Sequence, residues 1–346
     1  MTSPATVHRR HRRPKVATIT VGTNEKRWLP DCLSTLLTSH TPDLDLAVWY
    51  SDNASTDGST ALVRDDFPSA RIIQNDSNLG FAQANNVGMR AALADGADYV
   101  FLVNPDTRTP PDLIHQLSAF MERHPEYGIC GPMQYVYTDN GPVSLDEHNE
   151  WSRTALRLGE ADGFVGDRPF RPSPAGPAEG RAPDTLEHAY VQGAAFFVRA
   201  EVLRTIGLFD RVFHTYYEET DLCRRARWAG WRVALNLRLG IQHFGGGGTG
   251  ASTYRRVQMR RNRYYFLFTD ITWSWPAILG LAGRWLRQDL LGHSVGGNTT
   301  PLRGCAETAV AAWWLLRLAP TIARRRRAHR RLRAIRPPKR TTGGAL

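Results

Sequence analysis

DYVFLVNPD, residues 98–106, is an apolar run that breaks into a polar turn with a carboxylate at its end. A short continuous apolar stretch bounded by turn residues reads as a strand buried on both faces, the kind that lies inside a parallel sheet. Upstream, VATITVG (16–22), LAVWYSDN (46–53) and ARIIQN (70–75) are further β-rich runs. Helical stretches around 28–38 and 60–67 separate them, and FAQANNVGMRAALAD (81–95) reads as a helix closing at Gly96. This alternation predicts an α/β fold with a mostly parallel central sheet and helices on its faces. Sheets of that kind hold ligands beyond the carboxyl ends of their strands. Polar residues gather at those ends here: Asn24, Asp52 to Ser59, Asn78 to Gly80, and Asn104 to Asp106.

Downstream, residues 138–187 are rich in Gly, Pro, Asp and Glu and weakly periodic, which predicts a long variable loop. AYVQGAAFFVRAEVLRTIG (189–207) reads as strand then helix. RVALNLRLGIQHF (232–244) reads as a strand ending in Gly245–Gly248, and from about 251 the pattern is helical and basic. No internal repeat is visible. The chain has 346 residues, of which 42% are apolar and 22% charged, ample for a sizeable core. That composition excludes collagen-like, wholly disordered and disulfide-scaffold classes.

The net charge of +11 invites a nucleic-acid or anionic-membrane partner, but it is unevenly distributed. Residues 1–15 carry +5. Residues 16–223, with 15 basic and 30 acidic residues, carry −15, whereas 224–320 carry +11 and 321–346 a further +10. An acidic N-terminal half is followed by a basic C-terminal half, which makes a nucleic acid the least expected partner. Residues 1–15 lack an apolar segment and read as a disordered basic arm rather than a secretory signal. Cys32, Cys130, Cys223 and Cys305 show no ligand-like spacing and read as reduced thiols in a cytoplasmic protein. The apolar stretches Trp273–Leu286 and Ala306–Ala323 are each interrupted by charge, so neither gives the roughly 18–20 uninterrupted apolar residues of a spanning helix. Trp313 and Trp314 beside Arg324–Arg327 suit an interfacial helix on an anionic leaflet; the alternative is a hairpin packed on its own domain with a solvated basic tail.

Taken as residues, several groups have two readings. Asp106 follows a buried strand, as a ligand for a hard divalent cation should, or forms an Asx-turn before Pro110–Pro111. Asp52 can accept from a ligand N–H, while Ser55, Thr56 or Asp57 can cap a helix. Glu218, Glu219 and Asp221 can supply a general base or favour a helix dipole. Arg224 and Arg225 follow within one turn and can hold a carboxylate at i,i+3 or i,i+4. His243 ends a strand beside four glycines, where it is a core residue or a metal ligand.

The ordered set SDNASTDGS (51–59), NLGFAQANN (78–86), VNPDT (103–107), GAAFFVRAEVLRTIGLFD (193–210), YYEETDLCRRARWAGW (216–231) and QHFGG (242–246) resembles the family 2 glycosyltransferases, within them the subgroup of bacterial rhamnosyltransferases. The resemblance covers residues 16 to 265. It implies a GT-A fold and an inverting hexosyltransferase of the EC 2.4 class. The implied domains are a glycosyltransferase domain over 16–250 (nucleotide-binding half 16–137, variable loop 138–187, acceptor and catalytic half 188–250), a helical C-terminal extension over 251–323 and a basic tail over 324–346. The family's acidic metal motif falls on Asn104-Pro105-Asp106, so Asp106 becomes the ligand and Asn104 its hydrogen-bonding neighbour. His243 would complete a Mg²⁺ or Mn²⁺ site.

Asn24, Asp52, Asn53, Ser55, Asp57, Asn78, Gly80, Asn85 and Asn104 become the nucleotide pocket. The family's Glu-Asp-x-Asp pattern falls on Glu218-Glu219-Thr220-Asp221, which makes Glu219 the base, with Asp221 as fallback. One of Arg260, Arg261, Asn262 and Arg263 would neutralise a departing diphosphate, unless this is a solvated basic face. The implied reaction moves a sugar, first rhamnose from dTDP-rhamnose or else a UDP-sugar, to a glycan or polyprenyl-linked acceptor in cell-envelope synthesis. It would occur on the inner face of the plasma membrane. The alternatives are a sugar nucleotidyltransferase, which would want a Gly-rich basic loop where TVGTNEKRW has one glycine, and a non-catalytic binding protein with arginine-rich tails.

Overall fold

The computed structural model describes residues 12–138, 141–142, 185–244, 252–293 and 298–335. The expected basic arm, most of the 138–187 loop, the Gly245–Gly248 run and the end of the tail lie outside the described residues. The elements β1 (Lys15–Gly22), α1 (Leu29–Leu37), β2 (Asp45–Asp52), α2 (Ser59–Asp66), β3 (Arg71–Gln74), α3 (Gly80–Ala94) and β4 (Tyr99–Val103) alternate as the apolar runs predict. β1 pairs parallel with β2 and with β4, and β2 parallel with β3. β4 is buried at every position, as its uninterrupted apolar run requires. One face of the sheet packs Ile19 and Leu102 against Met89 of α3. The other packs Val48 and Phe101 against Leu33 of α1 and Leu117 of α4 (Leu113–Arg123).

Beyond β4 the order of the sheet continues with β9 (Ala195–Arg199), β6 (Tyr127–Thr138), β10 (Arg232–His243) and β5 (Thr107–Arg108). The small strands β7 (Gly141–Pro142) and β8 (Thr185–Glu187) pair with β6 and β10. β9 runs antiparallel between β4 and β6, while β10 lies parallel to β6. A bulge between Asn236 and Gly240 re-aims the end of β10. A Cβ at Gly240 would fall on the Tyr135 ring, so only glycine fits there. With β10 so directed, β5 pairs antiparallel to it with Thr107 opposite His243. That register carries the turn after β4 to the last residue of β10.

α5 (Ala200–Ile206) and α6 (Glu218–Trp228) follow β9. The helices α7 (Thr253–Thr269), α8 (Trp275–Leu290) and α9 (Pro301–Leu332) complete the chain, capped by Ser252, Ser274 and Thr300, each of which accepts from the backbone N–H three residues on. Sequence reasoning ends the helical extension at 323 and begins a solvated tail, but α9 continues unbroken to Leu332. Arg326 and His329 are buried, with Arg326 donating to the carbonyls of Phe268 and Asp270 and the His329 ring 5.1 Å from that of Trp228 on α6.

The reading of Arg260–Arg263 as a solvated basic face does not hold. All four are buried: Arg260 pairs with Asp289 at 3.1 Å and Glu307 at 2.6 Å, and Arg263 pairs with Asp289 at 2.9 Å. Arg260 and Arg263 thereby tie α7 to α8 and α9 from inside. Cys32, Cys130 and Cys223 are buried, and burial pushes their thiols up to about 12; no cysteine is bridged among the described residues. Among the described residues no helix is long and apolar enough to cross a membrane.

Candidate active site

A cleft of about 400 Å³ opens at the carboxyl ends of β1, β2 and β4. Its lining includes Thr23 and Glu25 after β1, Asn53 after β2, Asn78 and Gly80 at the start of α3, Asn104 to Asp106 after β4, and Glu218 and Glu219 at the start of α6. Its position is the one expected of a ligand site in an open α/β sheet.

On the β1–β2 side the polar residues first organise one another. Asn53 donates through Nδ2 to Asn78 Oδ1 at 2.8 Å and accepts from Leu79 N at 2.8 Å. Asn78 Oδ1 also accepts from Gly80 N at 2.9 Å. Gly80 has φ +75°, and a Cβ there would lie 2.5 Å from the His214 ring, so glycine lets α3 begin against the cleft wall. Asn24, itself at φ 59°, accepts from Thr56 N at 2.7 Å, and its own N–H donates to Ser55 Oγ at 2.9 Å.

Asp57 accepts from Lys26 N at 3.0 Å and from Ser59 N at 2.9 Å, so it ties the loops and starts α2. Asp52 is buried beneath them. Burial alone would raise its carboxyl, but hydrogen bonds from Ser55, Gln74 and Tyr50 more than offset this and hold it below the ordinary carboxylate value. Of the expected nucleotide-pocket residues, Asn53, Asn78, Gly80 and Asn104 line the cleft; Asn24, Asp52, Ser55 and Asp57 brace its wall. Asn85 does neither. Its amide donates at 2.9 Å to the Phe81 carbonyl of its own helix.

At the tip of β4, Asp106 is 6% exposed and its Oδ1 lies 3.3 Å from His243 Nε2. The β5–β10 pairing produces this meeting, and Phe244 N donates to the Asp106 carbonyl at 2.9 Å to fix it. His243 Nδ1 sits 3.2 Å from Gln134 Oε1. Both ring nitrogens thus face oxygen acceptors; with a cation on the Nε2 side, the Gln134 carbonyl can hold the proton on Nδ1. A cation between Asp106 and His243 would satisfy both, and fixing the tautomer from outside is how proteins orient a metal-binding imidazole. Among the described residues no cluster of three or more His, Cys, Asp or Glu side chains is arranged around a metal position.

At the start of α6, Tyr216 and Tyr217 occupy the left-handed region at φ 70° and 76°. Two consecutive side-chain-bearing residues there are strained, by about 1–3 kcal/mol each. Asn262 on α7 holds the turn, donating to the carbonyls of Thr215 at 2.7 Å and Tyr216 at 2.8 Å. Arg261 in turn donates to Asn262 Oδ1 and to the Val212 carbonyl. The strained turn presents Glu218 and Glu219 to the cleft, and the Oε2 atom of each has no hydrogen-bond partner. Burial raises Glu218 well above the ordinary carboxyl value, reinforced by the charge of Glu219; burial raises Glu219 as well. The two share a hydrogen bond, so Glu218 keeps the proton while Glu219 is the first to ionise.

Asp221 is not available as the fallback base. Its carboxylate is buried, bonded to Arg224 at 2.6 Å and Arg225 at 2.7 Å, and held far below the ordinary range by those guanidinium groups despite burial. The i,i+3 and i,i+4 pairing anticipated for the two arginines is present, with Asp221 as its object.

Several cleft residues were not singled out from sequence. Burial, with the charges of Asp106 and Asp57 nearby, pushes Glu25 up to about 7. Its signal was available, since it follows Asn24 directly in the loop after β1. Phe81, His214, Tyr216 and Tyr254 form an aromatic wall, with Tyr254 Oη 2.7 Å from His214 Nδ1. Only HTYYEET, in which aromatics adjoin the acidic cluster, hinted at it.

The sequence model of Glycosyl transferase family 2 matches residues 18–206. The N-acetylglucosaminyl-diphospho-decaprenol L-rhamnosyltransferase of Mycobacterium tuberculosis is 26% identical over 242 residues, which are 66% of this chain and 76% of that protein. Among solved structures, the mannosyltransferase PcManGT from Pyrobaculum calidifontis in complex with GDP-Man and Mn²⁺ superimposes with a TM-score of 0.53 at 16% identity, covering 93% of this chain and 84% of that one. GalNAc-T7 with UDP, GalNAc and Mn²⁺ gives 0.56 at 12% identity, over 86% of this chain and 55% of its own. At such identities these two likenesses concern the fold, which is the GT-A fold.

Proposed function

The chain belongs to the family 2 glycosyltransferases, and from that premise we propose that it is an inverting, metal-assisted transferase acting on a nucleoside-diphosphate sugar. The donor in this reading is dTDP-rhamnose first, or a UDP-sugar. The acceptor is a hydroxyl of a polyprenyl-linked or other cell-envelope glycan, and transfer occurs on the cytoplasmic side of the plasma membrane. The rhamnosyltransferase similarity supports the donor and the lipid-linked acceptor. The observation that carries the reading is that one cleft is lined both by the Asp106 turn and by the unpartnered oxygens of Glu218 and Glu219.

Asp106 and His243 fit a divalent cation. One carboxylate and one imidazole nitrogen, whose other nitrogen has Gln134 as a partner, leave room for phosphate oxygens, as Mg²⁺ and Mn²⁺ sites in nucleotide enzymes do, and the imidazole favours Mn²⁺. When bound, such a cation neutralises charge on a departing diphosphate. Asn53, Asn78 and Asn104 offer polar contacts to the nucleotide part of the donor. Glu219 takes the proton of the acceptor hydroxyl as its oxygen attacks the anomeric carbon, and Glu218, protonated, holds Glu219 by their shared hydrogen bond. Attack from the face opposite the leaving group inverts that carbon, as in the single displacement of inverting hydrolases.

A thermal-shift panel of nucleotide sugars, with and without Mn²⁺, tests the binding half of this reading, since a ligand of the native state stabilises it by mass action. A dTDP- or UDP-sugar should raise the melting temperature by several degrees with Mn²⁺ and by much less without it. Asp106→Ala should remove the Mn²⁺-dependent increment. An identical shift in the variant, or none with any nucleotide sugar, would refute the assignment.

A further inference from the structure

We propose that the outward face of α8 and α9 docks flat on an anionic lipid bilayer. Three observations meet there. First, α9 exposes large apolar side chains along one line: Leu302 is 82% exposed, Trp313 50% and Leu316 76%. At 100° per residue, Leu302, Trp313 and Leu316 fall within about 60° of one another. α8 does the same with Trp275, Leu279 and Leu286, respectively 49%, 60% and 43% exposed. Trp275 at the start of α8 and Leu316 of α9 also line one groove of about 510 Å³, which joins the two apolar stripes at that point.

Second, the line on α9 changes chemistry without changing face. Arg324, Arg327 and Arg331, all exposed, continue the direction of Leu302 and Trp313 by the same helical repeat. An apolar stripe bearing tryptophans that passes into arginines on one face suits acyl chains and headgroup phosphates at one depth. Arg317, whose guanidinium lies 4.7 Å from the Trp313 ring centroid, is placed to snorkel from the stripe towards phosphate.

Third, charge selects the occupant. Residues 308–346 contain no acidic residue, and the three acids of 224–320 (Asp270, Asp289 and Glu307) are all buried against arginines. Nothing on the α9 stripe can neutralise an arginine, so two copies packed through it would set arginine against arginine or against apolar residues. Anionic lipid satisfies both halves. With no described helix able to cross a membrane, the helices lie on the surface. This proposal stands on the chemistry of the face and does not depend on the donor or acceptor of the enzyme.

The test is sedimentation of the full chain with vesicles of phosphatidylcholine alone or with phosphatidylglycerol added, following tryptophan emission in parallel. The chain should sediment with the phosphatidylglycerol vesicles, with blue-shifted emission, and should lose at least tenfold in partitioning in phosphatidylcholine alone. Arg324→Glu with Arg327→Glu, and separately Trp313→Glu with Leu316→Glu, should each cost tenfold or more while the thermal melt stays unchanged, because these side chains are exposed. If a variant fails to fold, salt titration of the unmodified chain decides: binding must weaken steeply between 0.05 and 0.5 M salt, the concentrations used for the titration. Equal binding to both vesicle types, indifference to salt, or no binding together with a concentration-dependent dimer in light scattering would overturn the proposal.

Discussion

Three neighbouring carboxyls in YYEETDL take different roles because their surroundings differ. Asp221 has two guanidinium partners and stays ionised inside the protein, whereas Glu218 and Glu219 have each other and a cleft. Residue types alone left Glu219 and Asp221 as rival bases; burial and pairing separate them. Glu219→Gln should lower transfer by about 10²–10⁴-fold, the usual worth of a general base, with nucleotide binding intact in calorimetry. Transfer should rise with pH as Glu219 ionises, and Glu218→Ala should move that rise to higher pH, because the hydrogen bond from protonated Glu218 that favours the ionised Glu219 is gone.

Stability runs the other way for the pair. Folded carboxyls raised above their unfolded values bind protons more tightly, so this contribution is present at low pH and is lost as pH climbs through their folded pKa. Asp221, held low, contributes above the ordinary carboxylate range and loses its contribution in acid.

At the level of elements, the strained turn before α6 and the helix α7 form one device. Asn262 is fully buried and spends its amide protons on the Thr215 and Tyr216 carbonyls, which lets two tyrosines stay at positive φ. Asn262→Ala should cost about 1–3 kcal/mol in urea unfolding by orphaning buried groups. It should also lower kcat more than it raises KM, because Glu218 and Glu219 lose their placement; an intact kcat would remove Asn262 from the positioning of that pair. RRNR did not disclose this. Four polar residues in sequence read as a charged surface, and the acids that make the arginines internal, Asp289 and Glu307, lie 26 or more residues away. By contrast, β1, β2, β4 and their polar ends were legible, since burial on both faces and the turn beyond it are local properties. The meeting of Asp106 with His243 was readable only by family resemblance, because it depends on a bulge at Asn236–Gly240 and a two-residue strand that propensity does not register.

For the whole molecule, the division of charge becomes one of function. The acidic half carries most of the sheet and of the cleft, where excess negative charge suits the cation proposed at Asp106 and His243. The basic half turns its few acids inward as ties between helices, which leaves arginine as the charge of the α9 surface. Through Arg224, which donates to Thr269 and the Phe266 carbonyl, and His329 against Trp228, the same helices are joined to α6 and so to the Glu218–Glu219 pair.

The account turns on a single displacement in the cleft of Asp106, Glu218 and Glu219. Its most direct test is the anomeric configuration, by proton NMR, of the product formed from dTDP-rhamnose and a polyprenyl-diphosphate-linked sugar with Mn²⁺. The account predicts the configuration opposite to that of the donor. A product that retains the donor's configuration would contradict it.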